Sequence, residues 1–253
     1  MGYVDKRRHI GLARALSKFG YCSRSSAFEL IRAGRVALNG RTRRDPEFPV
    51  NLSADAIQVD GQPLRPPASV YLMLNKPRGL VTTASDEKSR STIYDCLDPG
   101  LPWLAPVGRL DKASEGLLLL TNDSEWGARI LAPDTHLTKT YHVQIGVVAE
   151  PELLAAMLKG VKTSPGEFLR VKQARVLRQG SRNSWLEVVL DEGRNRHIRR
   201  LLEHLGIEVL RLVRVAIGPL ILGDLAKGKY RPLTAAEKLA LERAMMRHPA
   251  APR

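Results

Sequence analysis

The chain has little from which to build a covalent or metal scaffold. Its only two cysteines, Cys22 and Cys96, are far apart and outside any C-x-x-C pattern, which excludes a disulfide framework or a zinc ribbon and fits a reducing compartment. No apolar run approaches the roughly 20 residues that a membrane span needs. The opening MGYVDKRRHIGLARAL lacks the apolar core of a secretion signal, so a cytoplasmic protein is expected. Gly2 does not mark myristoylation, because Lys6 stands where Ser or Thr is required. The histidines, His9, His136, His142, His197 and His204 among them, form no H-E-x-x-H and no paired metal spacing, and no metal is expected. G-x-S-x-G and G-x-G-x-x-G are also missing, which removes the commonest hydrolase and dinucleotide signals.

Acidic residues are in short supply. Forty Lys and Arg oppose 26 Asp and Glu, a formal charge of +14, and such a field attracts polyanions. The excess is local: ten basic residues and one acidic residue, Glu29, lie between Arg7 and Arg44. A solvated surface normally intersperses both signs, so a phosphate-binding face is the better reading of this stretch. Its candidate phosphate contacts are Arg14, Lys18, Arg24, Arg32, Arg35 and Arg41.

The same stretch has a compact grammar. Leu12, Leu16 and Phe19 recur on one helical face before Gly20, and a second helix follows, capped by Ser23 or by the pair Ser26 and Glu29. Two strand-plus-turn units, ending in Asn39-Gly40 and Asp60-Gly61, complete a helix–helix–strand module over residues 9–66. Pro63, Pro66 and Pro67 then make a stiff connector. Beyond it, strands are expected at 70–74, 117–120, 139–147, 168–178 and 184–190. Helices are expected near 92–97, after Asp123 or Ser124, and at 150–159, 195–205 and 234–247. Strands clustered in hairpin-like runs indicate an α+β domain with a mostly antiparallel sheet over 70–247, followed by a tail at 248–253.

Gly223–Lys229 has the glycine and lysine spacing of a P-loop, but Tyr230 replaces the magnesium-binding hydroxyl and Arg231-Pro232 interrupts any following helix. It reads as a turn, and no nucleotide cofactor is expected. The segment Val107–Asp123 is more informative: Asp111 lies on a loop between Leu110 and Lys112, close before the apolar run Leu117–Leu120. Arg109 and Lys112 supply positive charge beside it. On residue chemistry alone, Asp111 is either a functional carboxylate kept ionised or a loop salt bridge.

LNKPRGLVTT (74–83), GRLDKASEGLLLLTND (108–123), TKTYHV (138–143), EGRNRHIRRLLEHLG (192–206) and RVAIGPLILGDLAKGKYRPLT (214–234) resemble, in order and spacing, the pseudouridine synthases that modify single positions of bacterial ribosomal RNA. LSKFGYCSRSSAFELIRAGRVALNG resembles the small RNA-binding module of a ribosomal small-subunit protein. The resemblance implies a cofactor-free isomerase that breaks the bond between ribose and uracil N1 and rejoins the base through C5. It implies a substrate uridine turned out of its stack, with ribosomal RNA as partner.

By the same resemblance Asp111 is the catalytic carboxylate, attacking either sugar or base, and Tyr141 stacks on the base. Arg199 holds the carboxylate, with Arg196 the alternative. Arg109, Lys112, Arg194, Arg196 and Arg200 contact RNA, and Ile217 packs beneath the site. The sequence departs from the family at His197, where Gln is usual. Large-subunit rRNA is slightly favoured over small-subunit rRNA, and a monomer is the default. A non-catalytic RNA-binding or ribosome-assembly factor is the competing reading.

Overall fold

The computed structural model describes residues 9–65, 68–83, 90–163 and 166–246. Arg7, Arg8, Pro66, Pro67 and the tail expected at 248–253 lie outside the described residues. The chain forms two compact units: Met1–Val70 with Asp98–Ala105 and Thr121–Ser124, and a second made of Tyr71–Leu97, Pro106–Leu120 and Glu125–Arg253.

In the first unit, helices Leu12–Lys18 and Arg24–Arg32 accompany a small antiparallel sheet. Of the two expected caps, Ser23 is used: its hydroxyl accepts from Ser26 N–H at 3.0 Å, a contact of about 1 kcal/mol. The sheet runs Arg41–Arg43, Val36–Leu38, Ile57–Val59, Gln62–Pro63. Its turns, Asn39-Gly40 and Asp60-Gly61, have positive φ at both residues, the conformation that tight hairpins require. Leu12, Leu16, Ile31, Val36 and Val59 fill the core. Arg35 then brackets Asp60 with two hydrogen bonds of 2.8 and 2.6 Å.

The second unit is built on one large sheet, in the order Gln173–Gln179, Ser184–Leu190, Lys139–Ile145, Val209–Ile217, Glu115–Thr121, Tyr71–Lys76, Tyr230–Pro232. Most pairings are antiparallel, but Val209–Ile217 meets Glu115–Thr121 in parallel. One half of the sheet packs Val143, Leu186 and Val188 against Ile198, Leu201 and Met157 of helices His197–His204 and Pro151–Lys159. The other half packs Met73, Leu117 and Leu119 against Trp126, Ile130, Leu241 and Met245 of helices Ser124–Leu131 and Ala235–Met246. Each such fully buried aliphatic or aromatic side chain contributes about 1.5–3 kcal/mol.

The α+β, mostly antiparallel architecture agrees with the pattern in the sequence; beyond short unexpected strands such as Ala105–Val107 and Tyr230–Pro232, it differs most at two places. The strand expected over 168–178 is divided: Glu167–Leu169 pairs with Val161–Thr163 in a separate ribbon, and Gln173–Gln179 joins the large sheet. The nine-residue strand Val209–Ile217, absent from the expected set, lies in the middle of the sheet. Its register explains Gly116, which has φ +103°; a Cβ there would lie 2.2 Å from the Arg214 carbonyl oxygen. Only glycine lets the two backbones approach so closely.

Candidate active site

The loop carrying Asp111 is fastened from below by its backbone. Lys76, wholly buried at the end of strand Tyr71–Lys76, donates through Nζ to the carbonyls of Ser114 at 2.8 Å, Asp111 at 3.1 Å and Pro77 at 3.1 Å. Thr82 Oγ1 donates to the Leu110 carbonyl at 2.7 Å, and Gly79 N–H donates to that of Lys112 at 2.8 Å. Burial lowers the Lys76 pKa from 10.5 to about 8, against the opposing pull of Asp111 and Glu115. An ammonium held by carbonyl dipoles in place of water can fix a loop without neutralising the carboxylate that the loop presents.

Glu115, just beyond the loop, is 3% exposed and fully engaged. Arg211 donates to it twice, at 3.0 and 3.1 Å, and Lys227 lies 2.7 Å away. Lys227 comes from the P-loop-like segment, which is a run of turns leading into the edge strand Tyr230–Pro232. Lys227, two residues before the lysine at the P-loop position, serves the fold as an ion partner of Glu115.

Asp111 opens into a cavity of about 650 Å³. Gly108, Arg109 and Ser114 line it from the same loop, Lys139 and Tyr141 from one strand, Arg194 and Arg196 from the turn before helix His197–His204, and His197 from its first position. The carboxylate is 29% exposed, and its ion contact is Arg196, with Nη1 to Oδ2 at 3.9 Å. Arg196 reaches it from a left-handed backbone position, φ 49°.

The favoured partner, Arg199, does not make that contact. It is half-buried, and its guanidinium donates to the carbonyls of Ala113 at 3.1 Å and Val209 at 3.4 Å. Burial and the neighbouring Arg196 lower its pKa, while Asp111 raises it. Arg199 therefore braces the backbone of the Asp111 loop, and the carboxylate itself meets the other arginine. The sequence could not separate the two, because the left-handed turn at Arg196 shifts which side chains point into the cavity.

The remaining expected residues divide into several environments. Arg109 is exposed on the cavity wall, whereas Lys112 is exposed outside its lining. Arg194 donates to Glu192 and to the Phe168 carbonyl, both at 2.8 Å. Arg200 bonds Glu167 and, at 3.3 Å, Thr163. Ile217, 2% exposed, belongs to the apolar core that includes Trp126 and Leu137 and does not line the cavity. His197 is buried at the cavity edge, 3.5 Å from Glu192, and burial holds its pKa below the ordinary histidine value. Arg14, Arg24, Arg32, Arg35 and Arg41 are exposed, and Lys18 partly so, on the first unit. Reasoning from sequence assigned no role to the buried cations Lys76 and Arg214 or to the half-buried Lys139, although each lies within one of the family-like blocks. Among the described residues, no His, Cys, Asp and Glu group could hold a metal, and no helix is long and apolar enough to cross a membrane.

Comparison with known proteins adds a family context. Residues 70–204 match the model of RNA pseudouridylate synthases, and residues 10–57 match that of the S4 domain. A protein of Aquifex aeolicus named as an uncharacterised RNA pseudouridine synthase is 37% identical, over 93% of this chain and 95% of its own. The ribosomal large subunit pseudouridine synthase B of Bacillus subtilis is 34% identical, over 89% and 93%. A crystal structure of a pseudouridylate synthase superposes with a TM-score of 0.64 at 32% identity, over 92% of this chain and 99% of that one.

Proposed function

The chain belongs to the RNA pseudouridylate synthase family, and from that premise we propose that it converts one uridine of ribosomal RNA to pseudouridine, with Asp111 as the catalytic carboxylate. The observation that carries this reading is the convergence of Asp111, Tyr141 and Arg196 on one cavity of about 650 Å³. A carboxylate there can act as nucleophile or base, with the Arg196 guanidinium 3.9 Å away. Tyr141 offers an aromatic face to a base turned out of its stack, which recovers part of the cost of unstacking. Arg196 and Arg199 share the work assigned to one arginine: the first contacts the carboxylate, the second braces its loop. Arg109, Lys112, Arg194 and Arg200 then grip RNA at and around the cavity.

Residues 9–66 form the RNA-binding module and 70–247 the catalytic domain. Exposed Arg14, Arg24, Arg32, Arg35 and Arg41, with Lys18, neutralise phosphates without reading bases. Large-subunit rRNA is the favoured substrate, a preference supported by the name of the Bacillus subtilis relative. The protein works as a cytoplasmic monomer and needs no cofactor, since the bond broken and the bond formed lie within one nucleotide.

The test is a pseudouridine map of both ribosomal RNAs in cells deleted for the gene and complemented with wild type or Asp111→Asn. One position should lose its pseudouridine and regain it only with wild type. An unchanged map in the deletion strain would overturn the rRNA assignment. Restoration by Asp111→Asn would favour a non-catalytic RNA-binding factor.

A further inference from the structure

The cavity has a second charged corner that the roles above leave unused. Lys139 precedes Tyr141 by two positions on one strand, so both side chains leave the same face. Arg214 stands across from Tyr141 on the neighbouring strand. All three line the cavity together with Asp111. Arg214 is 5% exposed; its Nε donates to the Leu117 carbonyl at 2.7 Å, while Nη2 is buried with no hydrogen-bond partner. Burial first and Arg214 second depress the Lys139 pKa, and Asp191 opposes them. Two cations with one nearby carboxylate repel each other in this corner. Negative charge arriving there is stabilised more strongly than in water, without any reorganisation of solvent.

We propose that Lys139 and Arg214 stabilise the negative charge that develops on the uracil ring when its bond to ribose breaks, a role that rests on the isomerase reading above. In the sugar-attack route, an Asp111 oxygen bonds to C1′ as the C1′–N1 bond breaks, and the electron pair leaves with N1. That charge spreads over the ring and its two carbonyl oxygens while the base turns. C5 then attacks C1′, the Asp111 oxygen departs with its electrons, and the C5 proton is lost as N1 gains one, so that the net change is isomerisation. In a route beginning with attack on the base, charge also enters the ring, and the same corner receives it. The strand register accounts for the placement: the residue that stacks on the ring and the cations that accept its charge are immediate neighbours.

The competing assignment, a grip on RNA phosphate, differs in which quantity moves. Wild type, Lys139→Met, Lys139→Arg and Asp111→Asn are compared under single turnover on unmodified transcripts of the host ribosomal RNAs. Mass spectrometry of nucleosides gives the rate and filter binding the affinity, and a thermal melt checks each variant's folding. The same series is run on transcripts containing 5-fluorouridine, whose ring anion is intrinsically more stable and needs less help, with consumption of the target nucleotide as the readout. Lys139→Met should slow the uridine reaction by about 100-fold, the size of effect seen when one preorganised charge-stabilising donor is removed. Its affinity should stay within about twofold, because the lost interaction forms only as charge develops. Lys139→Arg should recover part of the rate, and the Lys139→Met defect should shrink on 5-fluorouridine. An equal defect on both substrates, or weaker binding with an unchanged rate, would overturn the proposal. If wild type formed no pseudouridine in either transcript, the isomerase reading would fall and this proposal with it.

Discussion

Asp111 and Arg196 meet at 3.9 Å, yet the two sides of the cavity that they represent are fastened in different ways. The Asp111 loop is held through its main chain by the buried Lys76, by Gly79 and Thr82, and by Arg199. The arginine turn opposite is held mainly by ion pairs, Arg194 on Glu192 and Arg200 on Glu167, at partly exposed positions, with one backbone bond from Arg194 to the Phe168 carbonyl. Hydrogen bonds to backbone fix where a reacting group sits. Ion pairs between long exposed side chains can exchange their carboxylates for RNA phosphates at little cost. Under the proposed function, the first wall sets position and the second grips RNA.

The largest expected effect comes from loosening the first wall. Lys76→Met leaves three carbonyls without their shared donor and should destabilise the fold by about 3 kcal/mol. Where it still folds, misplacement of Asp111 should slow catalysis by about 100-fold. Near-wild-type turnover in a folded Lys76→Met protein would remove the clamp from the account. Gly116→Ala strikes the strand behind the loop, where a Cβ would meet the Arg214 carbonyl at 2.2 Å. A loss of about 3 kcal/mol in denaturant unfolding is expected, against a smaller loss of about 1–2 kcal/mol at Gly40, where a Cβ would meet nothing within 4 Å and only the left-handed backbone, φ +74°, resists a side chain.

A pH series sharpens the same point. Because the folded protein holds the Lys76 pKa at about 8, below its ordinary 10.5, the unfolded chain binds more protons between those values. This contribution therefore opposes folding below about pH 8 and is relieved as pH rises toward 10.5. Wild type should show that upward slope relative to Lys76→Met; parallel stability profiles would contradict it. The smallest effects belong to the second wall. Arg194→Ala should change stability by less than about 1 kcal/mol, weaken RNA binding and reduce the slope of log affinity against log salt by about 1. An unaltered salt slope would show that Arg194 serves only Glu192, the Phe168 carbonyl and, at 3.6 Å, Glu167.

The readability of the sequence follows the same division. Local devices were legible: the Ser23 cap, the Asn-Gly and Asp-Gly turns, and the alternation in Ser184–Leu190, whose odd and even positions face opposite sides. Strand Val209–Ile217 was not, because Arg211 and Arg214, three apart, break the period of two that marks a strand. Those arginines are tolerated because Arg211 finds Glu115 and Arg214 finds the Leu117 carbonyl, partners nearly a hundred residues away. The family motifs pointed to Asp111, Tyr141 and the arginine cluster, and the cavity brings Asp111, Tyr141, Arg194 and Arg196 together. Whether Arg196 or Arg199 reaches the carboxylate depended on one left-handed residue at Arg196, a choice with no glycine to announce it. Lys76 and Arg214 were invisible because a buried cation is defined by what surrounds it in space.

The most direct measurement pairs chemistry with binding for Asp111→Asn on a ribosomal RNA transcript carrying the target uridine. The substitution keeps the shape of the side chain and removes its charge. No detectable pseudouridine is expected under single turnover, with an RNA affinity within about twofold of wild type, because the proposed RNA contacts lie on other residues. Product formed at the wild-type rate by Asp111→Asn would contradict the catalytic role of Asp111.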